Sequence, residues 1–374
     1  MRVLKLFALC AAIAGCGEAP ETDSAPVVAM TESARIVDVS VSRASIDAPA
    51  IIEWTTEPPG APVSLLSSTD PDAAAAEMER IASDLTTGRY EAALPGRRYF
   101  ALSTGSGKLV RAAARVLPLA GGRNFRDVGG YTTADGQRVK WGAVFRSGTM
   151  VGLTESDYAY LDDLDAKVLV DFRSAEERAA EPTDWLPDAP EYWARNYSSA
   201  SSSEGLRTLL TSGELSAAAT RAVMKRSYHD TATEHAEAYA VMFDRLASGQ
   251  VPLVFNCSAG KDRTGVAAAL LLTALGVPRD QVVADYAMSD DIVDYGAAFL
   301  EQSDGADADE GPYAFLRQLP PDVVMPLLAS EPEYIEAALD VLAEEHGSVL
   351  GFIQTELDVT DEELEAIRAL LLES

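Results

Sequence analysis

The run from residue 251 to residue 272 limits the fold of this chain more than any other stretch. It reads VPLVFNCSAGKDRTGVAAALLL, an apolar stretch, then small and polar residues, then a second apolar stretch. A buried strand followed by a glycine-containing loop and an apolar helix is typical of α/β folds with parallel sheets. This order predicts that Cys257 lies where the strand ends and that a helix begins near Thr264, with its positive end facing the loop.

The loop between this strand and this helix has the chemistry of an anion site. Gly260 and Gly265 permit close approach of the backbone, and successive amides in such a turn bind anions. A helix N-terminus and nearby cations favour a thiolate, so we predict that Cys257 is ionised. Arg263 follows after five intervening residues and can donate two parallel hydrogen bonds to phosphate oxygens. The spacing therefore predicts a nucleophile and a clamp around one phosphate group.

Cys257 to Gly265 resembles the cysteine-x5-arginine loop of protein tyrosine phosphatases. The run Cys-x-Ala-Gly-Lys-Asp-Arg-Thr-Gly is similar to one bacterial branch, which accepts phosphotyrosine, phosphoserine, phosphothreonine and phosphoinositides. Further matches to this branch are Asn-Phe-Arg-Asp-Val-Gly-Gly at 124–130, Phe-Arg-Ser at 145–147, Asp-Phe-Arg-Ser at 171–174, Asp-Tyr at 285–286 and the stretches at 333–335 and 347–348. The resemblance covers about 250 residues, from Leu119 to the C-terminus.

This resemblance implies a fold and a reaction. The fold is α/β, a tyrosine phosphatase-like domain with a mainly parallel central sheet flanked by helices. The reaction is hydrolysis of phosphate monoesters, most of all of protein phosphotyrosine, through a cysteinyl-phosphate intermediate. Thiolate chemistry needs only positioning and charge stabilisation from the loop, so neither a metal nor another cofactor is expected.

The site residues fall into three groups. The catalytic group consists of Cys257, Arg263 and Asp262, of which Asp262 is implied by the resemblance as the general acid. The substrate-binding positions of the phosphate loop are Ser258, Ala259, Gly260, Lys261, Thr264 and Gly265. From its place in the loop, we expect Lys261 to contact a second anionic group, as on a phosphoinositide. Structural support is expected from Arg126 and Asp127 as an ion pair beneath the loop, from Asp171 through a contact to the loop, and from Asn256.

Two positions depart from the pattern of the family. Residue 256 is Asn, where relatives usually carry a His that orders the loop and stabilises the thiolate, although an amide can also donate a hydrogen bond. Many tyrosine phosphatases place the general acid on a separate mobile loop. Relatives can present an acidic residue near the pocket in the segment that corresponds to residues 192–203, but here this segment contains no acidic side chain. Asp262 is therefore our candidate acid, and Asp230 is its competitor.

The first sixteen residues are a leader. Arg2 and Lys5 precede an apolar run that ends in Ile-Ala-Gly-Cys at 13–16, the pattern of a secretory signal. This ending resembles a bacterial lipobox, which implies removal of residues 1–15 and acylation of Cys16. The alternative is an ordinary signal peptide with a chance cysteine. We expect an exported protein, anchored by lipid on the periplasmic or extracellular face of a membrane.

Three regions follow the leader. Residues 16–34 hold the lipidated cysteine and a flexible polar linker. Residues 35–118 alternate short apolar and polar stretches, which predicts a small β-sandwich-like domain, loosely similar to fibronectin-type and immunoglobulin-like modules, with Trp54 in its core. Apolar spacing also fits a short helix within 71–85. Residues 119–374 are the predicted catalytic domain, in which a helical insertion at about 198–249 is a candidate lid.

Charge narrows the set of partners. The chain has 30 basic and 59 acidic residues and a net charge of -29, which repels nucleic acid at long range. Nucleic acid is therefore not expected as a partner, and a phosphorylated protein or phosphoinositide must be held by the local chemistry of the loop. The three histidines, His229, His235 and His346, are too scattered to suggest zinc. The sequence leaves the oligomeric state open.

Three other functions are compatible with parts of the sequence. One is a lipoprotein that binds phosphorylated ligands without turnover, and another is an adhesion or scaffold lipoprotein built around the β-sandwich. A rhodanese-like sulfur carrier also places a cysteine on a cradle loop, but the run Lys-Asp-Arg-Thr at 261–264 disfavours it. Since a pure binder gains nothing from a nucleophile, the intact set of Cys257, Asp262 and Arg263 favours the enzyme.

Overall fold

The secondary structure comes from a computed structural model that describes residues 33–105, 108–183, 185, 191–198, 215–301, 316 and 319–373. The predicted signal peptide and Cys16 lie outside these residues, as do most of the predicted linker and residues 199–214 of the predicted insertion. Ala34–Ser374 forms one compact unit. No helix in the described ranges is both long enough and apolar enough to cross a bilayer.

The strands of the described residues form two groups along the chain. The first group is β1 (Arg35–Ser42), β2 (Ala50–Glu57), β3 (Val63–Ser68), β4 (Glu79–Leu85), β5 (Arg89–Ala92), β6 (Tyr99–Ser103) and β7 (Val110–Ala113). The second group is β8 (Arg126–Asp127), β9 (Arg138–Val139), β10 (Val144–Ser147), β11 (Val168–Asp171), β12 (Glu191–Ala194), β13 (Leu253–Asn256) and β14 (Leu372–Glu373).

The helices of the described residues all follow β10. They are α1 (Glu155–Asp162), α2 (Ala175–Ala180), α3 (Ala217–Glu234), α4 (Ala236–Ala247), α5 (Asp262–Ala274), α6 (Arg279–Ile292), α7 (Tyr295–Glu301), α8 (Pro321–Leu328), α9 (Pro332–His346), α10 (Val349–Glu356) and α11 (Asp361–Leu371).

The central sheet has the strand order β12-β11-β13-β10-β8. The neighbours of β13 are both parallel to it, and β8 alone runs antiparallel at one edge. The register aligns Ser147, Asn256 and Asp171, so these three strands end at one edge of the sheet. Parallel strands present their carboxyl ends together at such an edge, where ligand sites form. The predicted α/β architecture with a parallel-containing central sheet is confirmed.

Alternating strand residues face two hydrophobic cores, one on each side of the sheet. Phe145, Leu169 and Val254 face a core that contains Tyr160 and Leu161 of α1. Their neighbours along the strands face the larger core, which α4 and α5 cover. Full burial of one such large apolar side chain stabilises the fold by about 1.5–3 kcal/mol. These two cores hold the strand ends in place beneath the phosphate loop.

The helices within the predicted insertion have core side chains of their own. Tyr239, Met242, Phe243 and Leu246 of α4 are fully buried in the larger core. Helix α3 packs against α5, α8 and α9. In this structure α3 and α4 are therefore part of the folded body, and lid motion of the segment stays a prediction.

The N-terminal strands form two antiparallel sheets, β1-β2-β5 and β4-β3-β6-β7. Side chains from both sheets share one apolar core, which includes Trp54 as predicted. The short helix expected within residues 71–85 was wrong, because turns at Asp70 and Ala74 lead into β4. The carboxylates of Asp70 and Glu77 hold these turns by accepting backbone N–H groups. A separate sandwich domain with its own boundary stays a prediction.

Candidate active site

The thiol of Cys257 lies at the start of the loop that joins β13 to α5. Its side chain is 1% exposed, and its Sγ accepts a hydrogen bond from the Gly260 amide at 3.3 Å. Gly260 has φ +71°, and a Cβ at this position would lie 2.4 Å from the Gly148 nitrogen. Glycine is therefore required for the loop to turn back over the sulfur.

Carbonyls of the loop are held by groups from four residues outside it. The Thr149 amide donates to the Ser258 carbonyl at 2.9 Å, and the Tyr295 hydroxyl donates to the Ala259 carbonyl at 2.7 Å. The Gly260 carbonyl accepts from Asn124 Nδ2 at 2.9 Å and from Arg146 Nη2 at 3.0 Å. With these carbonyls bonded to surrounding groups, the Gly260 amide is turned toward the thiol, as in an anion-binding nest.

Arg263 is fixed by a carboxylate that sequence reasoning did not single out. Its Nη1 and Nη2 donate to the two carboxylate oxygens of Glu177 at 2.7 and 2.6 Å. Nη1 also donates to the Tyr197 hydroxyl and to the Phe172 carbonyl, both near the carboxyl edge of the sheet. Such a two-point pair sets the plane of the guanidinium as well as its place.

Glu177 connects three parts of the site. It closes the capping box of α2 with Ser174, and its Oε1 accepts from the Ser258 hydroxyl at 2.7 Å. Burial alone would raise the pKa of Glu177, but hydrogen bonds and charge from Arg263 outweigh it and hold the pKa at about 2. The signal in the sequence was the Ser-x-x-Glu pattern at 174–177, which marks a helix start and was not read as part of the site.

Asp262 begins α5 beside the phosphate loop. Its Oδ1 accepts a hydrogen bond from the Tyr228 hydroxyl, which in turn contacts the Tyr286 hydroxyl. The carboxylate is 36% exposed, so a substrate can reach it. The competing acid Asp230 is exposed on α3, where its carboxylate lies 3.6 Å from His229. The geometry thus keeps Asp262 inside the loop and holds one of its oxygens.

The other predicted loop residues differ in what they contact. Thr264 donates its hydroxyl to the Ser147 carbonyl at 3.3 Å, and a Cβ on Gly265 would meet the Tyr286 ring at 2.8 Å.

Lys261 departs from the prediction. Its side chain is buried, and Nζ donates to the carbonyls of Leu327, Leu328 and Ala329 at 2.9–3.1 Å. These carbonyls at the C-terminal end of α8 use all three ammonium hydrogens, and Nζ also lies 3.5 Å from Asp262 Oδ1, so no ammonium hydrogen is left for the expected contact with a second anionic group.

The predicted ion pair between Arg126 and Asp127 is wrong. Successive strand residues point to opposite faces, so the two side chains of β8 diverge. Arg126 pairs with Asp285, which also binds Arg146, and burial together with the charge of Arg146 lowers the pKa of Arg126 to about 10. Through Arg146 this cluster supports the Gly260 carbonyl.

Asp127 faces the N-terminal sheets instead. Its carboxylate forms a buried ion pair with Arg97 and accepts from the amides of Gly129 and Gly142 at 2.8 and 2.9 Å. Burial is the main cause of the raised pKa of Asp127, which the charge of Arg97 opposes. Its role is therefore to join β8 to the preceding sheets.

Asp171 and Asn256 end adjacent strands, and only Asp171 differs from its prediction of a contact to the loop. The Asp171 carboxylate binds the Arg173 guanidinium at 2.7 Å and accepts from the Tyr192 hydroxyl, so it holds the strand end rather than the loop directly. The Asn256 side chain is fully buried, and its Nδ2 donates weakly to the Cys257 carbonyl at 3.5 Å. Its Oδ1 has no hydrogen-bond partner among the described residues.

Comparison with known proteins agrees with this geometry. The profile of a family described as the tyrosine phosphatase family matches residues 117–373. The chain belongs to this tyrosine phosphatase family. Membership makes it an enzyme, a protein-tyrosine phosphatase that acts as a hydrolase. The family and the enzyme class predicted from the cysteine-x5-arginine loop and its accompanying motifs are therefore confirmed.

Three similar phosphatases align with this chain, two of them over most of their own length. A protein of Cupriavidus necator named as a tyrosine-protein phosphatase is 33% identical over 241 residues, 63% of this chain and 82% of the relative. The triple specificity protein phosphatase PtpB of Mycobacterium tuberculosis is 30% identical over 290 residues, 70% of this chain and 99% of the relative. A tyrosine-protein phosphatase of Nostoc commune is 30% identical over 174 residues, 43% of this chain and 57% of the relative.

Groups of three or more His, Cys, Asp or Glu side chains with the geometry of a metal site do not occur in the described part of this phosphatase. Cys257 is the free cysteine of the same residues. The site brings together the Cys257 sulfur, the Gly260 amide, the fixed guanidinium of Arg263 and the partly exposed carboxylate of Asp262.

Proposed function

We propose that this phosphatase hydrolyses phosphate monoesters through a phosphorylated Cys257. The observation that carries the proposal is the Gly260 amide pointing at Cys257 Sγ at 3.3 Å, in a loop whose other end carries the fixed guanidinium of Arg263. An N–H group aimed at the sulfur, together with the N-terminus of α5, favours the thiolate.

The first half of the reaction transfers the phosphoryl group to sulfur. The Cys257 thiolate attacks phosphorus, a sulfur–phosphorus bond forms, and the bond from phosphorus to the leaving oxygen breaks. Asp262 gives its proton to that oxygen, which leaves as an alcohol or phenol. The partial exposure of Asp262 allows the leaving group to reach this carboxyl group.

The second half regenerates the thiolate. A water molecule gives a proton to the Asp262 carboxylate and attacks phosphorus, the sulfur–phosphorus bond breaks, and inorganic phosphate is released. Arg263 neutralises charge on the phosphoryl oxygens in both halves, and its pairing with Glu177 sets its orientation before substrate arrives. Ser258, Ala259, Gly260, Thr264 and Gly265 shape the loop that surrounds these oxygens.

The proposed substrates are phosphotyrosine proteins first, and phosphoserine and phosphothreonine proteins in addition. Membership of the family supports the first class, and the name of the mycobacterial relative, a triple specificity phosphatase, favours a broader range. Phosphoinositides are included on the resemblance of the loop sequence. Lys261 gives that last class no support, since its ammonium binds α8.

The proposed location is the outer side of a membrane. Support comes from the Ile-Ala-Gly-Cys sequence at 13–16, with Cys16 as the acylated residue. Expression of the whole chain in a bacterial host with lipoprotein processing tests this by intact mass and membrane fractionation. An acylated chain that begins at Cys16 is expected, and a Cys16→Ser variant should leave the membrane fraction or retain its leader. A mature chain without acyl mass would contradict the anchor.

Release of phosphate from p-nitrophenyl phosphate and from a phosphotyrosine peptide tests the proposed chemistry. Wild type is expected to be active without added metal and in the presence of chelators, and to be inhibited by vanadate. Cys257→Ser should lose turnover yet still bind vanadate, because the loop amides and Arg263 remain. Clear turnover by that variant would exclude Cys257 as nucleophile, and binding of phosphate without turnover by wild type would favour the non-catalytic lipoprotein.

A further inference from the structure

The orientation of one peptide group determines whether a hydrogen-bond donor or an acceptor of the phosphate loop points at the Cys257 thiol. In a trans peptide the C=O and N–H groups point in opposite directions, and the Ala259–Gly260 peptide is trans. Its N–H points at Cys257 Sγ, so its carbonyl points away from the sulfur. The opposite orientation would bring the Ala259 carbonyl oxygen toward the sulfur, where it would repel a thiolate.

The Tyr295 hydroxyl fixes the orientation of this peptide. It donates to the Ala259 carbonyl at 2.7 Å and accepts from Asn124 Nδ2 at 3.1 Å. Because Asn124 Nδ2 can only donate, the hydroxyl hydrogen of Tyr295 is directed to the carbonyl. A donor on the carbonyl also polarises the peptide and strengthens the N–H at its other end.

The backbone conformation and other contacts of Asn124 hold its side chain where it donates to the Tyr295 hydroxyl. It has φ +54°, a left-handed conformation that asparagine tolerates better than most residues. Its Nδ2 also donates to the Gly260 carbonyl, and its Oδ1 accepts from Arg126. Two consecutive loop carbonyls are thereby bonded from the same side, on which β8 and α7 lie.

Other ionisable groups that face Cys257 act in different ways. Arg263 of α5, Tyr239 of α4, Tyr197 after β12 and Tyr295 itself are close enough to Cys257 to interact with it electrostatically. The Tyr239 hydroxyl donates to the Arg263 carbonyl, and the Tyr197 hydroxyl donates to the Phe172 carbonyl. Neither bond acts on the peptide whose N–H reaches Sγ. Asn256, at the position where relatives carry His, donates only to the Cys257 carbonyl within the described residues.

We propose that Tyr295 is a positioning residue that stabilises the Cys257 thiolate by orienting and polarising the Ala259–Gly260 peptide, a role that rests on the proposed function of Cys257. Among the described residues Tyr295 makes no hydrogen bond to Sγ, and its hydroxyl donates to the Ala259 carbonyl of this peptide instead. The loop thus obtains from α7 a stabilising effect on the thiolate that Asn256 does not give.

The test follows the pH dependence of Cys257 alkylation by iodoacetamide in the full chain. Mass spectrometry of the peptide that contains Cys257 separates it from Cys10 and Cys16. Tyr295→Phe removes the hydroxyl but keeps the ring, whose centroid lies 5.6 Å from Lys261 Nζ. We expect the alkylation midpoint to rise by about 0.5–1 pH unit, since one hydrogen bond to the loop is lost. The matched control is Tyr90→Phe, which removes a hydroxyl bonded to the Ile81 carbonyl in the N-terminal sheets and should leave the midpoint unchanged.

Each outcome decides the proposal without reference to turnover. An unchanged midpoint in a folded Tyr295→Phe protein, or equal shifts in both variants, would overturn it. Should Tyr295→Phe fail to fold, 3-fluorotyrosine introduced at position 295 alone keeps the shape and makes the hydroxyl a stronger donor. The midpoint should then fall, and a rise or no change would refute the role. A wild type inactive on p-nitrophenyl phosphate would instead count against the proposed function, since alkylation needs no substrate.

Discussion

At the residue scale, the carboxylate of Asp262 lies in the phosphate loop and is bonded to the buried hydroxyl of Tyr228. Asp262→Asn removes the proton that the leaving oxygen needs, so its effect should depend on the substrate. We expect a loss of about 10²–10⁴-fold for phosphoserine and phosphotyrosine substrates and a much smaller loss for p-nitrophenyl phosphate, whose leaving group departs without protonation. A series of aryl phosphates of rising leaving-group pKa measures this trend.

Vanadate binding provides the control for Asp262→Asn. If the residue is the acid, the variant should bind vanadate as wild type does, because the loop keeps its shape. Equal rate losses across the series, together with weaker vanadate binding, would instead assign Asp262 to loop structure and redirect attention to Asp230.

Glu177 is the residue whose charge most directly fixes Arg263. Glu177→Gln removes one half of the ion pair, and displacement of the guanidinium should lower kcat/KM by about a hundredfold. The pKa of Glu177 is lowered from 4.5 to about 2, so its contribution to stability is complete above pH 4.5 and is lost as pH falls toward 2. A shift of this size corresponds to about 3 kcal/mol at neutral pH.

Urea unfolding at several pH values measures this contribution. The difference in unfolding free energy between wild type and Glu177→Gln should be largest at pH 7 and should shrink between pH 4.5 and pH 2. Glu365→Gln, which changes an exposed glutamate of α11, should match wild type throughout. A difference independent of pH would show that the charge of Glu177 is not what stabilises the fold.

At the element scale, Lys261 stabilises the end of α8. Three carbonyls accept from its ammonium group at a helix C-terminus, where a cation is favourable. Lys261→Met should therefore lower the unfolding free energy by about 2–3 kcal/mol while leaving the ratio of phosphoinositide to phosphoserine-peptide turnover unchanged, since both substrates need the acid that lies 3.5 Å from Lys261 Nζ. Thermal melts and the two assays measure both quantities.

Lys167→Met is the matched control for that experiment. Lys167 is half exposed and pairs with exposed Asp165, so its loss should change stability little. A selective loss of phosphoinositide turnover in Lys261→Met would restore the substrate-binding role predicted from the sequence.

The sequence predicted those parts of the site that depend on neighbouring residues. Cys257, the turn at Gly260, Arg263 and the start of α5 lie in one short run, directly after the apolar residues that predicted β13. The partners of Asp127 and Lys261 were missed, because they lie at Arg97 and at the end of α8, far away along the chain. The expected ion pair between Arg126 and Asp127 could have been excluded from the sequence, since side chains of adjacent strand residues face opposite sides of the sheet.

At the scale of the whole molecule, a buried ion pair joins the N-terminal sheets to the central sheet. Arg97 and Asp127 are 3% and 0% exposed, and Asp127 also caps two backbone amides. Asp127→Asn leaves Arg97 without its charged partner and should destabilise the protein by about 3–5 kcal/mol. Denaturant titration measures the loss, with the exposed Asp165→Asn as control. Hydrogen exchange should increase together in β3 and β13, and an increase confined to β3 would show that the two regions unfold separately.

The net charge of -29 acts on substrate approach rather than on the chemistry. An acidic phosphopeptide is repelled at low salt, so its kcat/KM should rise as ionic strength increases from about 0.01 M to about 0.15 M, where charges are screened beyond roughly 8 Å. A phosphopeptide flanked by lysines should show the opposite trend. Initial-rate assays with the two peptides at several ionic strengths measure how kcat/KM depends on salt. An equal dependence for both peptides would mean that the local field of the phosphate loop dominates.

The position of Cys257 also determines how this enzyme responds to peroxide. Its thiol is buried under the loop, and the other cysteines of the sequence, Cys10 and Cys16, belong to the predicted leader and lipid anchor. A sulfenic acid formed on Cys257 therefore has no second thiol in the catalytic region with which to close a protective disulfide. Its rescue depends on small thiols from outside or on condensation with a backbone nitrogen of the loop. In an oxidising compartment, the lifetime of the active enzyme is then governed by how well the loop shields its sulfur.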